Sequence, residues 1–185
     1  MKRSTIHFIL VLIWVIPTLA SHHPVIETQP HQKTIDSTPA VLFRQFIPSL
    51  AEQFIGIPVV VGGRPKLTGS TDNSWLFYSI YTGAAKKAGL IYKTFMPMKR
   101  LLRNIHNIEA DEVRNGDLIV LNNNLAAMVY QVDPSGRMHF IYASKTRGEV
   151  ITFNSENIVY YAYWLENFKG FFRINDDLLM PARPK

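Results

Sequence analysis

The sequence predicts one α+β domain in which N-terminal helices pack on one face of an antiparallel β-sheet. The chain has 185 residues and is 47% hydrophobic, which is enough for a single packed core. Apolar residues recur at helical spacing in the first half, whereas beyond Asn115-Gly116 they alternate as they do in strands. Helices followed by strands that short polar turns connect are the order typical of α+β domains.

Residues 1–20 have the layout of a signal peptide. Lys2 and Arg3 precede an apolar run, and Pro17 leads to a small-residue exit at Ala20. The run is shorter than the ~20 apolar residues that a comfortable membrane span needs. We therefore predict an exported protein, periplasmic or extracellular at the cell envelope, which meets a membrane only through this segment if it stays uncleaved.

Residues 21–39 are polar, contain prolines and lack an apolar period, which predicts a flexible N-terminal arm before a domain at 40–185. Cleavage after Ala20 would leave Ser21, His22 and His23 at the amino terminus. A free amine, backbone amides and an imidazole can hold Cu(II) or Ni(II) in a square plane. His22 and His23 are therefore a candidate metal site, and the alternative is an ordinary polar tail. No other metal site and no cofactor is predicted.

The predicted elements follow from periodicity and from the residues that start or stop a helix. Thr71 or Asp72 can cap a helix that Gly89 ends. Two further helices are expected over 40–55 and 97–105, the latter with a basic outer face. Alternation predicts strands at 117–121, 126–132, 137–144 and 149–153, with a candidate last strand at 170–174 and an ambiguous aromatic stretch at 160–168.

Four short motifs follow one another along the chain in an order and spacing that carry a family resemblance. They are Gly-Ile-Pro-Val-Val-Val-Gly-Gly at 56–63, Ser-Thr-Asp-Asn-Ser at 70–74, Arg-Asn-Gly-Asp-Leu at 114–118 and Ile-Tyr-Ala-Ser at 141–144. Together they resemble the NlpC-type family of bacterial cell-wall endopeptidases, papain-like enzymes that cleave the peptide stems of peptidoglycan. The resemblance covers about 40–174 and implies that the helices pack on a strongly curved sheet.

The resemblance places the family's catalytic residues on positions that lack their chemistry. The nucleophilic cysteine falls on Asn73, the general-base histidine on or near Ala126, and the third polar residue on Tyr142; the chain contains no cysteine. A helix N-terminus favours a thiolate, but an Asn amide has no ionisable nucleophile there. Ala126 cannot accept a proton. Trp75 replaces a small glycine of the family, so we expect its indole to fill or reshape the cleft.

A serine-based site can also be written down from Ser70 or Ser74, Asp72 and His139. Strand parity argues against it, because His139 and Tyr142 are an odd number of residues apart and so point to opposite faces of the sheet. Basic and aromatic residues alternate at 92–95 and 168–173, as in some nucleic-acid-binding proteins. Export makes core packing the better explanation, and no nucleic-acid partner is predicted.

The sequence therefore predicts an exported pseudoenzyme that binds a peptidoglycan stem peptide or an envelope protein without cleaving it. Two alternatives stay open: an active peptidoglycan hydrolase with a non-cysteine nucleophile, and a purely structural subunit of an envelope complex. No catalytic residue is assigned. The predicted ligand-binding residues are Asp72, Asn73, Ser74, Trp75, Ala126 and Tyr142.

Overall fold

The structure, a computed structural model, describes residues 38–182 and has an α+β fold, as predicted. Helices occupy its first part: α1 (Pro39–Ala51), α2 (Pro65–Thr68), α3 (Asn73–Lys87) and α4 (Met98–Leu101). The strands are β1 (Leu90–Tyr92), β2 (Ile105–Ile108), β3 (Leu118–Leu121), β4 (Ala126–Val132), β5 (Met138–Ser144), β6 (Glu149–Asn154), β7 (Phe168–Ile174) and β8 (Leu179–Pro181). Short 3₁₀ turns lie at Glu52–Phe54, Ala110–Glu112 and Asp176–Leu178, and a π-helix at Tyr160–Leu165.

Six strands form one antiparallel sheet in the order β2-β7-β3-β4-β5-β6. Strands β3 to β6 are a meander, which the alternating segments predicted. Strand β7 returns across the sheet and inserts between β2 and β3, which the sequence did not predict. Strands β1 and β8 pair separately as a two-stranded sheet.

The helices lie on one face of the sheet, as predicted, and an aromatic segment covers the other. Helices α1 and α3 bury a cluster that includes Phe43, Ile47, Leu76, Phe77, Ile80, Met128 and Ile141. The opposite face packs beneath the π-helix, where Trp164 is fully buried. Burial on both faces explains why β3 is apolar throughout, Leu118–Leu121, rather than alternating.

Helix α3 begins where the sequence predicted, because Asp72 caps it. Its Oδ1 accepts the backbone N–H of Trp75 at 3.0 Å, which satisfies one of the free amides of the first turn. Its Oδ2 accepts the N–H of Gly62 at 2.8 Å. The same carboxylate therefore fixes the preceding loop against the helix start. At the other end, Gly89 has φ +72°, the left-handed conformation that ends helices.

The predicted helix over 97–105 is wrong in its second half. Helix α4 ends at Leu101, and Asn104 closes the turn by donating from Nδ2 to the Arg100 carbonyl at 2.8 Å. Ile105 then begins β2 and lies opposite Ile174 of β7. A single turn of helix has little intrinsic stability, so pairing with β7 decides the conformation of this segment.

A buried carboxylate joins α1 to the sheet. Asp117 is 1% exposed and accepts hydrogen bonds from Arg44 of α1 at 3.1 Å and from Arg173 of β7 at 2.8 Å. It also accepts the N–H of Arg114 at 2.8 Å. Gly116, with φ +91°, makes the turn that brings Asp117 inward. The motif at 114–118 thus has a structural task, the attachment of helix to sheet.

Candidate functional site

A cleft of about 540 Å³ opens at the N-terminus of α3. One wall comes from the helix start and the loop before it, and the other from two hairpin turns at the same edge of the sheet. The lining residues are Val59, Val61, Asp72, Asn73, Ser74, Met98, Asn123, Asn124, Leu125, Tyr142, Ala143, Ser144, Lys145, Thr146 and Tyr163. The volume is within the range of small-molecule and cofactor pockets, about 300–1,000 Å³.

The Asn73 side chain joins the helix start to two strands. Its Nδ2 donates to the carbonyl of Ala126 on β4 at 3.2 Å. Its Oδ1 accepts the backbone N–H of Ala143 on β5 at 2.6 Å. The paired part of these strands ends at Met128 and Ile141, and their register places Ala126 opposite Ala143 beyond that point. The Asn73 amide therefore connects the strands where their own pairing stops.

This geometry gives Asn73 a structural role. A primary amide has one carbonyl oxygen and one NH₂ group, and here both are engaged with backbone. Neither atom is a nucleophile that a nearby base could activate, since an amide has no readily lost proton. The position to which the resemblance assigned a thiol is thus occupied by a connector between helix and sheet.

The structure places the other two predicted positions differently, because Tyr142 lines this cleft and Ala126 does not. Ala126 has no solvent exposure and lies beneath Asn73 within the core, so it is not part of the cleft wall. Tyr142 does line the cleft, but its ring packs on the opposite face of the sheet, 5.4 Å from Trp164. The β5 residues that face the helices are Ile141 and Ala143. Tyr142 therefore reaches the cleft from the face of the sheet that lies opposite the helices.

Trp75 lies outside the cleft that the sequence assigned to it. Its ring stacks on Phe95 with centroids 4.1 Å apart, and the Arg64 guanidinium lies 5.0 Å from its centroid. It lines a second cleft on the outer side of α3. Asn73 and Trp75 point to nearly opposite sides of α3, since two residues subtend about 200° around a helix. Trp75 therefore does not fill the cleft beside Asn73, contrary to the expectation from sequence, and this cleft is open.

The structure does not assemble a serine site among residues 38–182. Ser74 lines the cleft, but its Oγ accepts the backbone N–H of Met98 at 3.0 Å. His139 donates to Asp133 at 3.1 Å, at the far end of β5. His106 is exposed and contacts Asn175. Neither imidazole lines the cleft, so Ser74 has no histidine base within reach there.

Several lining residues were missed because they lie in turns. Asn123 and Asn124 connect β3 to β4, while Lys145 and Thr146 connect β5 to β6. In a meander, alternate turns lie at the same edge of the sheet. Ala126, at the start of β4, marks that edge as the one near Asn73. Strand parity and this rule together would have found the polar turns from sequence.

The polar lining is mostly neutral. Amides and hydroxyls predominate, and Asp72, the one acidic group in the lining, has both carboxylate oxygens engaged with backbone N–H groups. Lys145 is exposed and is the one cation of the lining. The cleft therefore offers hydrogen bonds to amide and hydroxyl groups and one positive charge to an anion. Among residues 38–182 no cluster of His, Asp and Glu has the arrangement of a metal site, and His22 and His23 lie outside the described residues.

Comparison with solved structures shows a likeness of fold. The chain matches no protein-family model and no curated protein. Its fold is similar to that of a solved protein from Staphylococcus aureus subsp. aureus Mu50, described as similar to a lipoprotein of the NLP/P60 family, with a TM-score of 0.51 and 22% identity. The match covers 72% of this chain but 41% of the neighbour, so this chain spans less than half of that protein. At this identity the likeness shows the fold.

No helix among residues 38–182 is long and apolar enough to span a membrane. Export directed by the segment at 1–20 stays a prediction from sequence alone, because this segment lies outside the described residues. The same holds for residues 21–37 of the predicted arm at 21–39, whereas Pro39 begins α1.

Proposed function

We propose that this protein is an exported NlpC-like domain that binds a cell-wall stem peptide in the cleft beside Asn73 without cleaving it. The observation that carries the proposal is the Asn73 amide, which spans Ala126 and Ala143 while the cleft in front of it stays open. Recognition and bond cleavage use different groups, so a cleft can persist without a nucleophile. The fold shared with an NLP/P60-type protein supports a role at the cell envelope.

The chemistry of the lining suits a short peptide that carries carboxylates. Asn123 and Asn124 present amides in the β3–β4 turn, and Thr146 presents a hydroxyl in the β5–β6 turn. Lys145 can pair with a carboxylate of the ligand, an interaction that a partly desolvated cleft strengthens. Tyr163, 41% exposed, offers an aromatic surface at the rim. An envelope protein that inserts a peptide segment would use the same groups.

The test is an NMR titration of the purified protein with a peptidoglycan stem peptide. Amide shifts are expected at Asn73, Ala143 and Lys145, and Lys145→Gln should weaken binding by roughly tenfold, as loss of one charge-assisted hydrogen bond does. The matched control is Lys169→Gln, an exposed lysine of β7 outside the cleft, which should leave affinity unchanged. Absence of shifts in the cleft would refute peptide binding and favour the purely structural subunit.

An active hydrolase with a different nucleophile is the competing function. Its best candidate is Ser74, the serine of the helix start that lines the cleft. The contact with Met98 and the lack of a neighbouring imidazole among residues 38–182 argue against it. Release of stem peptides from peptidoglycan that is lost in Ser74→Ala would establish this alternative.

A further inference from the structure

A second cleft, of about 500 Å³, lies on the outer side of α3. It is formed by the end of α1, the helix α2 and the outward-facing side chains of α3, and it does not share a lining residue with the cleft beside Asn73. The lining consists of Leu50, Gln53, Phe54, Arg64, Pro65, Lys66, Leu67, Trp75, Tyr78, Ser79, Thr82, Gly83 and Lys86. It is therefore a separate cleft and not an extension of the first one.

The floor and walls of this second cleft are apolar and aromatic. Trp75 and Tyr78 meet edge to face with centroids 5.5 Å apart, and Phe95 stacks behind the indole at 4.1 Å. These contacts hold the indole in place from behind. Leu67, at the mouth, is 74% exposed. An apolar group that covers this surface removes it from water, which lowers the free energy of the complex.

The charged groups of the second cleft are all positive. Its lining contains three exposed cations, Arg64, Lys66 and Lys86, and no carboxylate. Among residues 38–182, none of the three forms an ion pair with a carboxylate. The Arg64 guanidinium lies over the Trp75 ring at 5.0 Å, where the π-face favours a cation. Its backbone N–H donates to Thr68 Oγ1 at 3.0 Å, which helps to fix the start of α2.

We propose that this second cleft binds a monoanionic amphiphile, an apolar chain with a carboxylate head. The apolar walls would bury the chain, and the cations at the rim would pair with the head. A purely apolar ligand would leave three cations at the rim without a counter-charge, and a purely ionic ligand would leave the aromatic walls exposed. The combination of both surfaces in one cavity selects a ligand with both properties.

The experiment titrates the full purified chain with octanoate, with octan-1-ol and with inorganic phosphate, below any micelle-forming concentration, and follows backbone amides by NMR. Octanoate should shift the amides of Leu67, Trp75 and Gly83 and bind more tightly than either of the others. The double variant Arg64→Gln/Lys86→Gln should weaken octanoate roughly tenfold or more and leave octan-1-ol unchanged. The matched control is Lys99→Gln/Arg100→Gln, which removes two exposed cations of α4.

A steric variant, Ser79→Phe, adds a ring to the wall of the second cleft and should abolish octanoate binding with the melting temperature preserved. Equal affinity for octanoate and octan-1-ol would overturn the selection for an anion. Shifts confined to the cleft beside Asn73, or octanoate binding that survives Ser79→Phe, would overturn the site itself. Stem-peptide binding beside Asn73 should be unaffected by Ser79→Phe, so the two proposals fail independently.

Discussion

Among single residues, Asn73 matters most for the chemistry of the cleft, because its amide stands where the resemblance places a nucleophile. Its amide gives Ala126 and Ala143 hydrogen bonds at the point where β4 and β5 stop pairing. A thiol at this position would leave both backbone groups without that partner. At the position to which the resemblance assigns a thiol, Asn73 therefore makes two backbone contacts that a thiol would not make.

Asn73→Ala should lower the free energy of unfolding by about 1–3 kcal/mol, because it leaves backbone groups of the core edge without partners. Asn73→Asp is the sharper variant: it keeps an acceptor for the Ala143 N–H but places a carboxylate oxygen against the Ala126 carbonyl, so it should destabilise at least as much. Urea denaturation measures both. Ser79→Ala, on the same helix, is the control and should change little; an unchanged stability of Asn73→Ala would show that the amide contacts are dispensable.

Asn73→Cys alone should not create a peptidase. The helix N-terminus can favour a thiolate, but Ala126 is buried and cannot accept a proton, and no imidazole lines the cleft among residues 38–182. Alkylation by iodoacetamide would first show that the new thiol is reachable. Hydrolysis of peptidoglycan that then depends on the thiol would mean that a base exists which the described cleft does not contain.

At the scale of elements, the β4–β5 hairpin has an ionic lock at the edge opposite the cleft. Hydrogen bonds from His139 and from Arg137 hold the pKa of Asp133 at about 2, below its ordinary value of 3.8. Gln131 adds a third donor at 2.9 Å. Alternation and the turn residues predicted both strand boundaries here within about a residue. A local pattern cannot show which side chains meet across the turn.

The carboxylate of Asp133 should contribute stability that is present above its unfolded pKa near 3.8 and is lost as the pH falls through about 2. A ¹³C NMR titration of the carboxyl group should return the depressed pKa, and His139→Ala should raise it toward the ordinary value. His106→Ala, which removes an exposed histidine far from this turn, should leave the Asp133 pKa unchanged. An ordinary Asp133 pKa in the unmodified protein would show that His139 and Arg137 do not donate these hydrogen bonds in solution.

The shortest strands could not be predicted from the sequence. Strands β1, β2 and β8 have only three or four residues, so they carry no readable alternation, and their conformation comes from the partner strand. Tyr142 shows a related limit: parity gave the two faces of β5 correctly, but only the packed helices decide which face is the helix side. The resemblance places Asn73 at the position of a nucleophile, but a local pattern cannot show its contacts with Ala126 and Ala143, which are far away in sequence.

At the scale of the whole molecule, Asp117 holds helix and sheet together. Its carboxylate lies between Arg44 and Arg173, which come from α1 and β7, and its hydrogen bond raises the pKa of the Arg173 guanidinium. The side-chain hydroxyl of Tyr81 in α3 donates to the Gly116 carbonyl at 2.7 Å. Three elements thus converge on the turn at 114–118, which explains why a motif without catalytic residues belongs to the resemblance.

Asp117→Asn should lower the free energy of unfolding by about 3–5 kcal/mol, because it removes the charge that compensates two arginines in a partly buried site. Differential scanning calorimetry or urea denaturation measures the loss. Asp111→Asn changes an exposed aspartate close by and should have almost no effect. A similar, small effect of both variants would show that water compensates the arginines and that the cluster does not hold α1 in place.

Binding without cleavage is tested by incubating the purified protein with peptidoglycan and measuring new amino groups and released stem peptides over time. No release above a protein-free control is expected, under conditions where a stem peptide shifts the amides of Asn73 and Ala143. Steady release that disappears in Ser74→Ala would contradict the claim, because it would show that the cleft contains a working nucleophile after all.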